Sequence, residues 1–522
     1  MAFPCLRILD TTTVTPSGPA LPQSSIPLTF YDVWWLGFPP VQRVFFYRLA
    51  PDADLPRLLS NLKGSLSTAL RAFFPLAGNV RLTPGAASAR HDIFYAPGDG
   101  VPFTVAEYEY DGADLASHEP RQVADIAQLA PRLPGGGALL AVQATVLRQR
   151  RGLALGVTLQ HAACDGAGST NFLHTWAATC AGAEPPAPPV IDRALIGDHQ
   201  GLYDHYAKNM ISSKELESVV KLPTDQLMAT FTLSGDQLQS IKDAVAGQAV
   251  RRGQQPPRCS SLVAALGFIW CCHFRAKARS AVKAGGFGAE TTHFSLAVDH
   301  RRWSKPPVPA TYLGNCIGPA ICTAQELALA GASSLLTACA VIAAGIEKAV
   351  AAPEWGTLME RIKEVAPTGV LSVAGSPRFL VYSLDFGFGR PVKVEIVSVA
   401  RTGAVAVAEC GAMGTGLEMG ISLPPAGMKA FQRGASPMPS RAYRPINASK
   451  RSKSLICRRT SIHRRMVPTP TRMLNNHLIF FFENNMLTVK CTTTRLESSS
   501  EYQYLCITLI YLDKCSVKIG QA

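Results

Sequence analysis

The sequence predicts an α/β or α+β protein built as two halves of similar size. Its 522 residues exceed the length at which a single hydrophobic core stops growing, so two domains are expected. Segments with the two-residue period of strands alternate with segments of helical period in both halves. A stiff, proline-rich stretch at residues 181–189 separates the halves, and irregular sequence continues to about Lys221. We therefore expect domains at residues 1–180 and 225–433, joined by a crossover linker at 181–224.

In the first half, one long amphipathic helix is predicted among several strands. Residues 55–74 carry leucines three or four positions apart and stop at Pro75, which is typical of a helix. The aromatic run at residues 43–48 predicts a strand. Further strands are expected at residues 80–82, 92–96, 102–108, 138–148 and 153–160, and a second helix at 169–180.

The second half repeats the mixture of strands and helices. Strands are expected at residues 228–233, 293–299, 378–384, 392–399, 404–408 and 416–423. Helices are expected from Gly235 onward and at residues 260–273, 326–350 and 427–431.

Net charge does not indicate a nucleic-acid partner for the folded part. Residues 434–522 carry 14 Lys and Arg against 4 Asp and Glu, which is +10 of the formal net charge of +14 and leaves +4 for residues 1–433. The tail at 434–522 also loses periodicity, so we expect it to lack a fold of its own, either as a disordered segment or as the product of a mis-spliced gene model. No signal peptide, transit peptide or bilayer-length apolar run is evident, which predicts a cytoplasmic protein.

The 14 cysteines are scattered and show no spacing typical of zinc ligands, so buried free thiols are expected and no metal site.

The most chemically distinctive segment is residues 160–166, where an apolar strand gives way to a helix. A histidine of near-neutral pKa can take a proton from a hydroxyl as that group attacks a carbonyl, which makes His161 the candidate base. Asp165 could orient the His161 ring or hold the loop, and Gly166, which permits a sharp bend, favours the loop. Cys164 is expected to pack as a small thiol.

Residues 161–166 resemble the His-x-x-x-Asp-Gly motif of the plant BAHD acyl-CoA-dependent acyltransferases. Asp385-Phe386-Gly387-Phe388-Gly389 is similar to the second signature of that family, Asp-Phe-Gly-Trp-Gly. Tyr312-Leu313-Gly314-Asn315-Cys316 resembles the Tyr-Phe-Gly-Asn-Cys of the clade that acylates anthocyanin and flavonoid glucosides. The resemblance covers roughly residues 3–433.

This resemblance implies two chloramphenicol acetyltransferase-like domains, with mixed sheets flanked by helices and an active-site channel at their interface. It implies that His161 is the general base for direct attack of an acceptor hydroxyl on an acyl-CoA thioester, without an acyl-enzyme. Acyl-CoA would be a co-substrate, with no permanently bound cofactor and no metal. The structural support of the site would come from Asp165, paired with Arg301, and from Gly166, Asp385, Gly387 and Gly389. Ser260, Ser261, Asn315, Ser376 and Arg378 are candidates for contacts with CoA or the acceptor.

The implied acceptor is a small phenolic glycoside, and the implied protein is a monomer that binds neither nucleic acid nor membrane. Malonyl and hydroxycinnamoyl donors both stay open, because Ala167 follows the motif where a basic residue would meet a malonyl carboxylate, although Arg378 or Arg301 could serve. Phe388 replaces the usual tryptophan, which keeps most of the volume and loses a ring donor. Two alternatives are a CoA-binding homologue that has lost turnover through its altered C-terminus, and a tail that contacts nucleic acid or an anionic membrane.

Overall fold

The computed structural model describes residues 6–86, 89–109, 117–147, 152–210, 225–283, 291–325, 334–366, 369–411 and 414–435, together with five strands between residues 473 and 518. Met1–Met438 form one compact unit and Pro439–Ala522 a second. The predicted mixture of helices and sheets is confirmed in the first unit, which contains two large sheets and one small one.

The first large sheet has six strands. In spatial order they are β1 (Leu6–Val14), β6 (Val101–Tyr108), β8 (Leu140–Leu147), β9 (Gly152–Leu159), β3 (Val41–Arg48) and β14 (Lys393–Ile396). Only β6 and β8 pair in parallel; the other neighbours are antiparallel. A three-stranded sheet of β2 (Ser24–Pro27), β5 (His91–Tyr95) and β4 (Asn79–Leu82) accompanies it.

The second large sheet has seven strands. In spatial order they are β12 (Ile317–Gln325), β11 (Thr291–Asp299), β13 (Val370–Ala374), β15 (Val405–Glu409), β16 (Leu417–Leu423), β10 (Leu227–Leu233) and β7 (Arg121–Gln122). β13 runs parallel to both β11 and β15, and the remaining pairs are antiparallel.

Each half of the chain contributes one strand to the sheet of the other half. β7 comes from the first half and pairs with β10, while β14 comes from the second half and pairs with β3. The buried side chains of Arg121 on β7 and Glu395 on β14 form an ion pair, so the two exchanged strands contact each other. The domain limits at 1–180 and 225–433 stay a prediction. Dividing the chain at the linker would assign β14 to a different half from the sheet in which it lies, and likewise β7.

Eleven helices are described. They are α1 (Phe30–Val33), α2 (Leu55–Ala72), α3 (Val123–Ala127), α4 (Gly166–Ala181), α5 (Leu202–Lys208), α6 (Gly235–Arg251), α7 (Ser261–Lys283), α8 (Ser334–Ala351), α9 (Leu358–Val365), α10 (Val399–Thr402) and α11 (Pro425–Ala435). α2 and α4 pack their apolar faces on the first sheet through residues such as Leu66 and Trp176. α6, α7, α8 and α11 share a second core with the second sheet. These cores stabilise the fold because they remove apolar surface from water.

One predicted strand is wrong. Residues 378–384 form two 3₁₀ turns, Pro377–Phe379 and Val381–Ser383, instead of a strand. Leu380, between them, has a left-handed φ of 49°, which no strand accommodates. The segment is apolar because it packs against neighbouring elements: Tyr382, for example, is buried and donates its hydroxyl proton to the Glu418 carboxylate. A short apolar run in the sequence is compatible both with a buried strand and with buried turns of this kind.

α8 has a mean hydropathy of 1.6 and is long and apolar enough to cross a membrane by length and composition. Its Leu336, Cys339 and Ile342 are buried in the core shared with α7 and the second sheet. This packing is that of a core helix. Residues 326–333, where the sequence predicts the start of this helix, lie outside the described residues.

The second unit contains a five-stranded antiparallel sheet of β17 (Met473–Leu474), β18 (His477–Phe482), β19 (Asn485–Thr493), β20 (Leu505–Asp513) and β21 (Cys515–Lys518). Composition did not predict these strands, because the prediction for the tail rested on its charge and weak periodicity. Short apolar runs such as His477–Phe482 nevertheless suit strand pairing. That residues 434–522 come from a mis-spliced gene model stays a prediction.

Candidate active site

The His161 loop connects β9 to α4. In the register of β9 on β3, Leu159 pairs with Val41 and is the last residue of the strand, so the loop begins at Gln160. α4 begins at Gly166, and Asp165 is its N-cap, with Oδ1 accepting from the N–H groups of Ala167 and Gly168 at 3.1 Å each. Capping carboxylates satisfy helix N–H groups that have no partner within the helix. The helix start therefore fixes the path of the loop.

His161 lies in the wall of a cavity of about 1660 Å³. Its ring stacks on Trp35, with ring centroids 3.7 Å apart and an angle of 16° between the planes. Nδ1 is enclosed and has no hydrogen-bond partner among the described residues. Burial lowers the pKa of His161 to about 4, the Asp165 charge opposes this shift, and the Arg43 charge adds to it. The ring is therefore neutral near pH 7 and able to accept a proton.

The Asp165 carboxylate binds the Arg301 guanidinium. Arg301 Nη1 donates to Asp165 Oδ2 at 2.7 Å, and Nη2 donates to Oδ1 at 3.0 Å. The Cys316 N–H donates to Oδ2 at 3.1 Å. Both charged side chains are buried, with exposed fractions of 1% for Asp165 and 3% for Arg301. The pair that the resemblance implies is present, and the carboxylate joins the His161 loop to the segment after β11.

Asn315 fixes the backbone of His161. Its Nδ2 donates to the His161 carbonyl at 2.8 Å and to Asp32 Oδ1 at 2.9 Å. Asp32 is fully buried, and Arg193 from the linker approaches its other oxygen at 3.4 Å. Arg193 also donates to the Ala163 carbonyl at 3.2 Å. Asn315 and Arg193, from two distant segments of the chain, therefore hold the His161 loop at the His161 and Ala163 carbonyls, and Asp32 connects these two side chains.

Of the candidates for substrate contacts, Ser260, Ser261, Ser376 and Arg378 line the cavity. Ser260 precedes α7 and accepts from the Val263 N–H, while Ser376 accepts from the Arg378 N–H. Asn315 is placed differently from the other candidates: its exposed fraction is 0%, and it does not line the cavity. Its amide serves the network around Asp32 instead.

Close packing, and not the predicted sharp bend, accounts for Gly166. It does not adopt left-handed backbone, so a sharp bend does not explain it. A Cβ at this position would lie 2.4 Å from Cζ of Phe379, well inside van der Waals contact. The glycine lets the start of α4 approach the turn that carries Phe379 in the cavity wall.

The loop at residues 385–389 lies apart from the cavity. Gly387 and Gly389 adopt φ values of 92° and 102°, which favour glycine, and their N–H groups donate to Asp385 Oδ1 at 2.8 and 3.0 Å. Asp385 is only partly buried. Phe388 packs edge-on against Tyr47, with ring centroids 5.0 Å apart. None of these five residues lines the cavity.

Cys164 lines the cavity next to Asp165, and burial raises the pKa of its thiol, which favours the unreactive protonated form. The nine cysteines from Cys164 to Cys410 are free thiols. Within the described ranges no three His, Cys, Asp or Glu side chains form a group that could hold a metal ion.

Sequence reasoning missed four residues at this site: Asp32, Trp35, Arg43 and Arg193. A signal existed for two of them. Thr29 and Asp32 have the spacing of a capping box. Arg43 lies two and four positions before the apolar Phe45 and Tyr47, so all three share one face of β3. Nothing in the linker sequence indicates that Arg193 is buried.

These features form a site suited to proton abstraction. A neutral, positioned imidazole in the wall of a cavity of this volume can take a proton from a hydroxyl while a second molecule presents an electrophilic carbonyl. Basic side chains, among them Arg258, Arg302 and Arg378, are exposed and line the same cavity. They give the cavity a positive charge that favours anionic substrates.

Comparisons with known proteins agree with this geometry. The sequence model of the Transferase family matches residues 6–438. Phenolic glucoside malonyltransferase 1 from Arabidopsis thaliana is 32% identical over 458 residues, covering 80% of this chain and 94% of the relative. A coumaroyl-CoA:anthocyanidin 3-O-glucoside-6''-O-coumaroyltransferase from the same species is 30% identical, covering 81% and 96%.

Among solved structures, vinorine synthase superposes with a TM-score of 0.62 at 20% identity, covering 82% of this chain and 96% of that one. F. sporotrichioides TRI101, crystallised with coenzyme A and T-2, gives a TM-score of 0.54 at 16% identity, covering 78% and 97%. These likenesses show the fold, and the sequence relatives together with the family match show the chemistry. The chain belongs to the Transferase family of BAHD proteins and is an acyltransferase.

Proposed function

We propose that this acyltransferase moves a malonyl or hydroxycinnamoyl group from CoA to a hydroxyl of a phenolic glycoside, such as a flavonoid or anthocyanin glucoside. The observation that carries the proposal is the neutral His161 ring, which is held by Trp35 and lines a cavity large enough for both substrates. The names of the sequence relatives supply the class of donor and acceptor.

In this proposal His161 is the catalytic base. Nε2 takes the proton from the acceptor hydroxyl, the oxygen attacks the thioester carbonyl, and the tetrahedral intermediate collapses with departure of the CoA thiolate. The thiolate then takes the proton from His161. Asp165, Gly166 and Arg301 position the loop, while Asp385, Gly387 and Gly389 support the fold behind it.

The CoA phosphates would meet the exposed basic side chains of the cavity. Arg258, Arg302 and Arg378 supply positive charge, and Ser260 and Ser261 stand where α7 begins, at the positive end of its dipole. Acyl-CoA acts as a co-substrate and leaves after each turnover. We also propose a cytoplasmic monomer, which analytical ultracentrifugation and localisation of a tagged chain would test.

The direct test is an assay of the full chain with malonyl-, coumaroyl- and acetyl-CoA against a panel of phenolic glucosides, followed by mass spectrometry of the products. His161→Ala should lower kcat/KM by about 10²- to 10⁴-fold, the range for loss of a general base. Equal transfer by the variant would remove His161 from the chemistry. CoA binding by calorimetry without product from any donor would favour the alternative of a homologue that has lost turnover.

A further inference from the structure

Arg43 is buried in the wall of the His161 cavity and forms no ion pair with a carboxylate of the described residues. Its exposed fraction is 7%, and it lines the cavity from β3. Within the part of the chain that the structure describes, its polar contact is a long one, from Nη1 to Thr170 Oγ1 at 3.5 Å. Burial lowers the pKa of Arg43 to about 10, so the side chain is still charged at neutral pH.

The other buried arginines of the described residues each have a carboxylate. Arg121 pairs with Glu395, Arg193 approaches Asp32 at 3.4 Å, and Arg301 binds Asp165 at 2.7 Å. A buried charge without a partner is costly, since the desolvation penalty is several kcal/mol. An anionic group of a ligand could therefore form with Arg43 the ion pair that the other buried arginines form within the protein.

The position of Arg43 places it near the reacting atoms. Arg43 pairs with Val157 and Val41 pairs with Leu159 on β9, the strand that leads to His161. Val41, Val157 and Leu159 line the cavity beside it. The charge of Arg43 also reaches the His161 ring, where it disfavours the protonated form. An anionic group bound at Arg43 would thus lie close to the carbonyl that the acceptor attacks.

We propose that Arg43 binds the terminal carboxylate of a malonyl group, which makes malonyl-CoA the donor of this enzyme; the inference rests on the acyl transfer proposed above. A guanidinium matches a carboxylate through paired hydrogen bonds, and the match is strongest where water is excluded. An acetyl or coumaroyl group carries no charge and would leave Arg43 unpaired. The other two arginines considered for this role differ: Arg301 is already engaged by Asp165, and Arg378 is exposed.

The test is isothermal titration calorimetry of malonyl-CoA and acetyl-CoA with the full chain, in the absence of acceptor. We expect the unmodified protein to bind malonyl-CoA at least about ten-fold more tightly, the factor that corresponds to 1.4 kcal/mol. Arg43→Met should abolish this preference while the Kd for acetyl-CoA stays within about two-fold, and Arg43→Lys should restore part of it. Arg302→Met is the matched control, because loss of an exposed arginine of the same cavity should weaken both thioesters equally.

Binding of acetyl-CoA also reports that Arg43→Met is folded. Equal losses for both thioesters in Arg43→Met would overturn the proposal, since Arg43 would then act on the CoA portion or on packing. Product from coumaroyl-CoA and none from malonyl-CoA would overturn the donor inference and leave the acyl transfer standing. No product from any donor would instead contradict the proposed function itself.

Discussion

His161 is a base whose working range is set by its surroundings. Because burial and Arg43 lower the pKa of His161 to about 4, the neutral form dominates at every pH above that value. We therefore expect log(kcat/KM) to stay flat from pH 7.5 to about pH 5 and to fall only at more acidic pH. Circular dichroism at each pH would separate this from unfolding. An acidic limb near 6.5, the ordinary histidine value, would contradict the placement of the ring.

The same shift affects stability with a definite sign. Between pH 6.5 and about 4, the unfolded chain protonates His161 while the folded chain does not, so His161 contributes a loss of stability as pH falls through this window. The pKa values of His91, His293 and His300 are also lowered by burial, so these side chains act in the same direction.

Asp165 and Arg301 form a unit whose loss should damage folding and activity together. Asp165→Asn leaves the buried Arg301 guanidinium without its anion, and breaking a buried pair in this way costs about 3–5 kcal/mol. The free energy of unfolding, measured by urea denaturation, and the initial rate of acyl transfer should therefore fall together. Asp299→Asn is the control: Asp299 touches Arg301 at 3.3 Å with a half-exposed side chain, so its loss should cost less than about 1 kcal/mol. An Asp165→Asn variant of unchanged stability but without turnover would assign Asp165 to proton transfer.

The junction of α4 with the turn at Phe379 is the element contact on which the cavity wall depends. Gly166→Ala would place a Cβ 2.4 Å from the Phe379 ring, and overpacking of this kind costs about 1–3 kcal/mol. The shift would also disturb the Phe379 carbonyl, which lies 2.9 Å from His174 Nε2. We expect a lower melting temperature and a higher KM for the acyl donor.

Gly64→Ala is the matched control for Gly166→Ala. Gly64 lies inside α2, and a Cβ there meets no atom within 4 Å, so alanine should stabilise the helix by about 0.5–1 kcal/mol. Phe379→Leu in the Gly166→Ala background should recover part of the lost stability. A Gly166→Ala variant as stable as the parent would show that the ring can move aside at no cost.

Helices and strands with a clear period were predictable, and contacts between distant segments were not. The spacing of leucines predicted α2 over Leu55–Ala72, and the motif predicted the strand-to-helix loop at His161, because both signals are local. Residues 378–384 were predicted as a strand and form 3₁₀ turns, because tertiary packing decides the conformation of short apolar runs. Asn315 was assigned to substrate from its motif, although its partners Asp32 and the His161 carbonyl lie more than 150 positions away.

At the scale of the whole molecule, the exchange of β7 and β14 shows the same limit. β7 has two residues, which is too short for a periodic signal. β14 lies inside the strand predicted at residues 392–399, but nothing in that pattern indicates that it pairs with β3. Where the two strands meet, Arg121 and Glu395 form an ion pair, although they are 274 positions apart in the sequence. The cavity is therefore a product of the assembled chain: His161 reaches it from the first half, and Ser260 and Ser376 reach it from the second.

The tail should be dispensable for this assembly. The family match ends at residue 438, and the compact unit that contains the cavity ends at Met438. A chain of residues 1–438 should therefore keep the melting temperature of the full chain and a kcat/KM within about two-fold. It should lose retention on heparin if the +10 charge of the tail is what binds polyanions.

A chain that ends at Pro424 is the contrasting control for this truncation. It lacks α11, whose Met428 and Phe431 are buried in the second core, with exposed fractions of 1% and 0%. Loss of a buried phenylalanine alone costs about 3–5 kcal/mol, a large part of the stability of an ordinary domain, so this chain should unfold or aggregate. If residues 1–438 instead behaved like residues 1–424, the tail would be part of the folded enzyme, because nothing else distinguishes the 1–438 chain from the full one.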